Sequence, residues 1–188
     1  VKNSMDFKNK NLISFIGNIG ALQHPETFLN TMALFNENDN VKFLFIGDGI
    51  MLNSLKEKAK KMNLKNVIFI GRVKREHIPA YMYYSDILVA NYLPNNYMNI
   101  CIPGKLFEYA ISETPIVMGA KGEAKDFIEK YNLGVVVPPS DHLAFKNAII
   151  KILDKSYEFD PQIDTFLNTY SLNTISDLYN EIFNGVKS

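Results

Sequence analysis

The sequence predicts one α/β domain built on an open, doubly wound parallel sheet of about six strands. Short apolar runs alternate with longer segments whose apolar residues recur at helical spacing, almost from end to end of the 188 residues. Strands that alternate with helices in this way form a parallel sheet covered on both faces. Because crossover connections are right-handed, we expect a Rossmann-like sheet.

Six short apolar runs are the predicted strands. The first runs from Leu12 to Ile16 and stops at Gly17, and the second runs from Lys42 to Ile46 and stops at Gly47. Runs of four to eight apolar residues bounded by turn residues are typical of buried strands. In chain order the predicted strands are 12–16, 42–46, 67–70, 86–90, 115–118 and 134–137.

The segments between these runs carry helical stripes. Phe28, Met32 and Phe35 lie at i, i+4 and i+7, and Pro25 suits the first helical turn because its missing N–H is not needed there. In chain order the predicted helices are 25–35, 51–62, 75–84, 104–112, 123–131, 142–153 and 167–183, and residues 91–103 are irregular.

Composition excludes several classes of function. The 20 basic and 20 acidic residues balance, whereas a nucleic-acid-binding domain would show a basic excess, so no nucleic-acid partner is expected. A lone cysteine, Cys101, offers neither a disulfide framework nor a metal-ligand cluster, and fits a reducing, cytoplasmic compartment. No signal peptide and no apolar run near ~18 residues is present.

Val1 to Lys10 is predicted to be a polar lead-in to a domain over residues 11–188, and this start suggests a piece of a longer protein.

Ligands of open parallel sheets bind beyond the carboxyl ends of the strands, and four such ends are unusual here. They are 17–20, 47–49, 71–74 and 91–108. Glycines there allow a close approach of backbone to ligand. The Gly17 turn lacks both the dinucleotide fingerprint and the P-loop spacing, which argues against NAD or ATP. Gly47-Asp48-Gly49 is equally well an ordinary turn.

The stretch from Pro103 to Glu108 carries the most specific chemistry. Gly104, Lys105 and Leu106 are predicted to open a helix whose amides hold phosphate oxygens. Glu108 lies about one turn further in, where its carboxylate is able to accept two ribose hydroxyls. Lys105 and Glu108 also fit an ordinary surface pair at i, i+3.

Arg72 and Lys74 follow the third strand and are candidates to neutralise a diphosphate, with Arg favoured for two-pronged contact. As isolated residues they equally fit a solvent-facing role.

The order of six motifs resembles the donor-binding domain of GT-B glycosyltransferases of family 4. Each motif is degenerate by itself, but all six occur in register from about Leu12 to Leu153. The motifs are IGNIG at 16–20, FIGDG at 45–49, NVIFIGRV at 66–73, SDILV at 85–89, PGKLFEYA at 103–110 with PIV at 115–117, and GVVVPP at 134–139.

Within that family, this form of the motifs is similar to that of enzymes of bacterial capsule, O-antigen and lipopolysaccharide assembly. The resemblance implies a nucleotide-sugar donor, with UDP the family-weighted choice, and neither cofactor nor metal. It assigns Glu108 to the ribose and Gly104 to Leu106 to the diphosphate. The Arg72-Val73 backbone would meet the base edge, and Gly17, Asn18 and Gly20 would pass close to the phosphates.

The sequence departs from the family pattern at three places. Gly104 stands where serine is usual. Asn18 and Gln23 stand near an arginine and a lysine that clamp phosphates in many members, so the charge is missing or comes from elsewhere, such as Arg72 or Lys105. Ile100 replaces a glutamate eight residues before Glu108, which leaves Asn96 or Asn99 to contact the donor sugar by hydrogen bonds.

The resemblance also implies what lies outside this sequence. GT-B enzymes bind their acceptor on an amino-terminal domain, so the whole enzyme would be a retaining hexosyl- or N-acetylhexosaminyltransferase, and this half alone would be inactive. Its catalytic residues are not identified, and any contact with the inner face of the membrane would be made by the missing half. Two alternatives stay open: a non-catalytic sugar-nucleotide-binding subunit, and half of an enzyme like the nucleotide-sugar 2-epimerases.

Overall fold

A computed structural model of the protein describes residue 7 and residues 9–35, 40–95 and 97–176. These residues form strands and helices in strict alternation up to the last two helices. The strands are β1 (Asn11–Ile16), β2 (Val41–Ile46), β3 (Val67–Gly71), β4 (Ile87–Asn91), β5 (Ile116–Gly119) and β6 (Gly134–Val137). The helices are α1 (Glu26–Ala33), α2 (Leu52–Lys61), α3 (Ile78–Tyr84), α4 (Lys105–Ile111), α5 (Glu123–Lys130), α6 (His142–Leu153) and α7 (Ile163–Tyr170).

The six strands form one parallel sheet in the order β3-β2-β1-β4-β5-β6. This order confirms the predicted doubly wound, Rossmann-like fold class. β1 pairs with β2 on one side and with β4 on the other, with Ile13 opposite Ile87. The strand order reverses between β1 and β4, so the crevice expected for a ligand lies at the carboxyl ends of these two strands.

Alternation along the strands divides the core into two layers. Leu12, Ile16 and Leu88 pack on one face with α3, α4, α5 and α7. Ile13 and Phe15 point to the opposite face and pack with α1, α2 and α6. Successive side chains of a strand point to opposite faces, so strands covered on both sides are apolar throughout.

The last helix differs from its prediction over 167–183. α7 begins earlier, at Ile163, because Phe166 and Tyr170 pack against Phe127 of α5 and against Tyr131, which directly follows α5. Leu167, the predicted first residue, is instead 43% exposed. The helix ends at Tyr170 because the backbone of Ser171 is extended (φ −65°, ψ 150°). Residues 172–176 are helical again, as predicted, and residues 177–183 of the predicted helix lie outside the described residues.

Across the described ranges, no helix combines the length and apolar character needed to cross a membrane.

Candidate functional site

The turns after β1 and β2 are locked together by their backbones. Gly17 N donates to Ile46 O at 2.9 Å, and Ile19 N donates to Asp48 O at 2.8 Å. Gly17 and Gly47 both have φ of 135°, and a Cβ at Gly47 would collide with the carbonyl oxygen of Gly17. Only glycine fits such a conformation and such a close approach, so these turns are a fixed edge of the crevice.

A polar network centred on Asn91 joins three loops at the crevice. Asn91 ends β4 and is fully buried. Its Nδ2 donates to Gln23 O at 2.9 Å, and its Oδ1 accepts from Ser140 N at 2.8 Å. His24 Nδ1 lies 2.8 Å from Ser140 Oγ. This network was not predicted from the sequence, where its signal is limited to a polar residue, Asn91, at the end of an apolar strand.

Lys105 reaches from α4 into the crevice. Its Nζ lies 4.3 Å from the Phe15 ring centroid and 5.9 Å from that of Tyr92, and a Cβ at Gly17 would lie 2.9 Å from it. The residue is partly exposed, but Nζ is buried and has no hydrogen-bond partner among the described residues. Burial lowers the pKa of the Lys105 ammonium to about 8, against an opposing effect of the Glu108 carboxylate.

Two buried tyrosines, Tyr109 and Tyr92, lie in the same region of the chain's core. The Tyr109 hydroxyl accepts from Ile16 N at 3.0 Å and donates to Ile16 O at 3.1 Å, so it ties α4 to the end of β1. Burial raises the pKa of Tyr92 to about 12, and a hydrogen bond with the Gln23 side chain partly opposes this rise. Gln23 Oε1 is itself buried without a partner in the described part of the chain.

Glu108 lies on α4 and is exposed, at one end of a cleft between α3 and α4. The cleft has a volume of about 880 Å³ and runs from Glu108 to Thr114 and Pro115, which precede β5. Its far end is therefore at the amino ends of the strands, away from the crevice. Arg75 also lines this cleft. Arg75 was not among the predicted residues, although its neighbours Arg72 and Lys74 were and the basic run continues to it.

The other predicted residues after β3 are two exposed basic side chains and one valine packed on the core. Arg72 and Lys74 are exposed, and Lys74 Nζ lies 3.7 Å from Glu76 Oε1 in an exposed ion pair. Val73 is partly buried and packs against the core on the α3–α4 face. Their role toward a nucleotide base stays a prediction.

The first turn of α4 offers fewer free amides than the prediction assumed. Leu106 is fully buried, and its N–H already donates to Pro103 O at 2.9 Å. Gly104 is exposed with helical backbone angles (φ −53°, ψ −32°). The part of the prediction that concerns the Leu106 amide therefore lacks a free donor, while the Gly104 and Lys105 amides stay predicted contacts.

The asparagines predicted to contact the phosphates and the donor sugar lie in different surroundings. Asn18 is exposed, and its Nδ2 would lie 3.0 Å from a Cβ on the buried Gly20. Asn99 packs its backbone against Gly122, ahead of α5, on the β5 side of the crevice. Asn96 lies outside the described residues.

Histidine, cysteine and carboxylate side chains form no cluster of three or more that is able to hold a metal ion, over the residues whose positions are described.

The strand order and the glycine turn beside its switch point define this chain as a Rossmann-like α/β domain. The chain belongs to the family of glycosyl transferases group 1, whose model matches residues 2–164.

Curated relatives of this chain are named as glycosyltransferases, and they are longer than this chain. The chain is 26% identical over 160 residues to a probable glycosyltransferase, WbjE, of Pseudomonas aeruginosa, covering 84% of this chain and 38% of that protein. It is 28% identical over 150 residues to an α-1,4-N-acetyl-D-galactosaminyltransferase of Campylobacter jejuni that acts on an undecaprenol-linked glycan, covering 79% and 40%. The chain thus spans about two fifths of the length of these relatives.

Solved structures share the fold at low identity. The protein HepE of Anabaena, solved with UDP and glucose, superposes with a TM-score of 0.81 at 15% identity, covering 97% of this chain and 50% of that one. The C-terminal domain of a group 1 glycosyl transferase, LpcC, of Francisella tularensis superposes with a TM-score of 0.70 at 18% identity, covering 89% and 90%. These matches confirm the C-terminal half of a GT-B fold.

Proposed function

We propose that this chain is the donor-binding half of a retaining glycosyltransferase that uses a UDP-sugar to build surface glycans. The observation that carries the proposal is the family match over residues 2–164, on a doubly wound sheet whose strand order reverses between β1 and β4. The names of the relatives in Pseudomonas and Campylobacter support the glycan class. The UDP in the HepE structure supports the choice of base.

In this proposal the nucleotide lies across the carboxyl edge of the sheet. The exposed Glu108 carboxylate accepts hydrogen bonds from the ribose hydroxyls. The diphosphate lies between the Gly17 turn and the start of α4, and the base lies toward the Arg72-Val73 backbone. Cations and amides at this place stabilise the charge that develops on the departing diphosphate, which is an electrostatic form of catalysis that needs no metal.

Transfer itself would need a second domain. Because the relatives are more than twice as long, we propose that the acceptor binds on a further domain of the whole enzyme. This chain alone would bind the donor and transfer little or no sugar.

Calorimetric titration of the 188-residue chain with UDP, GDP and UDP-sugars tests the proposal. We expect one uridine nucleotide to bind, and Glu108→Ala to weaken it about 10- to 100-fold, because charged hydrogen bonds contribute roughly 1.5–3 kcal/mol. Glu57→Ala removes an exposed carboxylate on α2 and serves as the matched control. A folded chain that binds none of these nucleotides would contradict the proposal.

A further inference from the structure

Basic residues are concentrated in one part of this chain, although its total charge is zero. The segment from β2 to α3, residues 41–84, holds nine of the 20 basic residues and three of the 20 acidic ones. Its formal charge is therefore +6, and the remaining residues together carry −6. Because β2 and β3 form one side of the sheet, this separation along the sequence is also a separation in space.

The basic side of the domain is the free edge of the sheet. β3 is the last strand in the order and is hydrogen-bonded to β2 on one side. Above it, α2 is the outermost helix of its layer. Phe28 of α1 packs edge-on against Phe145 of α6 at 5.4 Å, and Glu26 of α1 forms an ion pair with Lys58 of α2. Since α1 lies between α6 and α2, the far side of α2 borders on solvent together with β3.

The helical geometry of α2 directs its other lysines away from α1. Residues two positions apart on an α-helix differ in direction by about 200°. Because Lys58 faces α1, Lys56 and Lys60 face the opposite way, toward the free edge. Five exposed cations make up this surface, which we call the basic edge: Lys56, Lys60, Lys61, Lys65 and Arg72.

Acidic residues do little to neutralise the basic edge. Glu57 is the only acid between residues 49 and 75. Over the described ranges, none of the five cations of the basic edge forms an ion pair. Lys42 Nζ, at 3.5 Å from Lys65 O, adds a further cation near the start of β3. Like charges that are held together repel one another, so an anionic surface against this edge would be stabilising.

An apolar side chain accompanies these cations. Ile50, in the turn between β2 and α2, is 89% exposed, more than any other large apolar side chain of the described residues. Gly47 N in that turn donates to Gly71 O at 2.8 Å, so Ile50 and Arg72 lie in adjoining loops. Basic residues beside an exposed apolar side chain are typical of surfaces that bind the interface of anionic membranes.

We propose that the basic edge docks this domain onto an anionic phospholipid membrane. The lysine and arginine side chains contact lipid phosphates, and Ile50 enters the boundary between headgroups and acyl chains. A nucleic acid would use free aromatic rings for stacking, but Phe69 of β3 is stacked on Phe45 at 5.0 Å and packs against the core. The basic edge gives this chain a membrane contact of its own, whereas the resemblance assigned any such contact to the missing half.

Co-sedimentation with lipid vesicles tests the docking. We expect the 188-residue chain to bind vesicles made of equal parts of phosphatidylglycerol and phosphatidylcholine. Salt at about 0.5 M should release it, because exposed charges are then screened. Vesicles of phosphatidylcholine alone should not bind it. A folded chain that binds neither kind of vesicle, or binds both equally, would overturn the proposal.

Charge removal at two places tests whether the basic edge is the surface that docks. Lys56→Gln, Lys60→Gln and Lys61→Gln together should weaken binding at least about 30-fold, because each basic residue near an anionic surface contributes roughly fivefold. A matched control should stay within about twofold of the wild type, because charges beyond a Debye length are screened. It removes three exposed lysines on the β5–β6 side, with Lys121→Gln, Lys125→Gln and Lys155→Gln. Equal losses in the two triple variants would mean that only net charge matters, and the basic edge would be wrong.

Two further measurements separate a membrane from other anions. Ile50→Ser should weaken vesicle binding several-fold without any change of charge, and unchanged binding would overturn the insertion of Ile50. Single-stranded polyadenylate should bind more weakly than the anionic vesicles. If it binds more tightly and the triple variant of α2 loses that binding, the surface is a nucleic-acid surface and the lipid assignment is wrong. Thermal melts verify that each variant is folded.

Discussion

The crossing of the β1 and β2 turns at Gly17 and Gly47 is crowded, whereas the start of α4 at Gly104 is open. At Gly47 an added Cβ would collide with the Gly17 carbonyl, but at Gly104 no atom of the described residues lies within 4 Å of one. Both regions lie in the glycine-containing motifs of the resemblance. The contrast shows that Gly47 is needed for the two turns to pack against each other, whereas Gly104 leaves open space at the start of α4.

Gly47→Ala should have the largest effect of the predictions drawn from this contrast. The substitution combines a φ of 135° with a collision against backbone, so we expect the free energy of unfolding to fall by at least about 3 kcal/mol. Urea denaturation measures this loss. A loss below 1 kcal/mol would mean that the two turns separate easily and are not a fixed edge.

Asn91→Ala extends the crowded region to the loops after β4 and β6. It leaves Ser140 N and Gln23 O without their partner, so we expect a loss of about 3 kcal/mol, at roughly 1–3 kcal/mol for each unsatisfied group. Asn53→Ala, at an exposed position of α2, is the control and should change the free energy of unfolding by about 0.5 kcal/mol or less. Equal losses for the two variants would show that the network adds nothing.

The pH dependence of stability should reveal Lys105, which lies against the crowded turn. Its folded pKa of about 8 is below the ordinary value of 10.5, so between these values the unfolded chain binds more protons. The free energy of unfolding therefore rises with pH across this window, and the contribution is constant below it. We expect wild type to gain about 2 kcal/mol relative to Lys105→Met between pH 7.5 and 9.5. Parallel urea curves at both pH values would contradict this.

Gly104→Ala should have the smallest effect. The backbone of Gly104 is already helical and its surroundings are open, so the free energy of unfolding should change by about 0.5 kcal/mol or less. The same urea experiment measures it beside Gly47→Ala. A loss comparable to that of Gly47→Ala would remove the contrast between the two regions.

Much of the fold follows from local patterns, and much of the site does not. Apolar runs such as Leu12–Ile16 and stripes such as Phe28–Met32–Phe35 require only neighbouring residues, and they predicted strands and helices to within a few positions. The start of the last helix was predicted too late, at Leu167 instead of Ile163, because Phe166 packs against Phe127 on another helix. Arg75 was missed because only the packing of α3 against α4 shows which cation of its run faces the cleft.

The sequence by itself determined the alternation of strands and helices, the order of the six motifs and hence the family. These depend on residue types along the chain, whose periodicity fixes which faces are buried. Only the tertiary structure decided the strand order, the Asn91 network and the place of the Lys105 ammonium beside Gly17. These depend on which distant segments become neighbours, and a lysine on α4 is a solvated surface charge or a buried cation according to what packs around it.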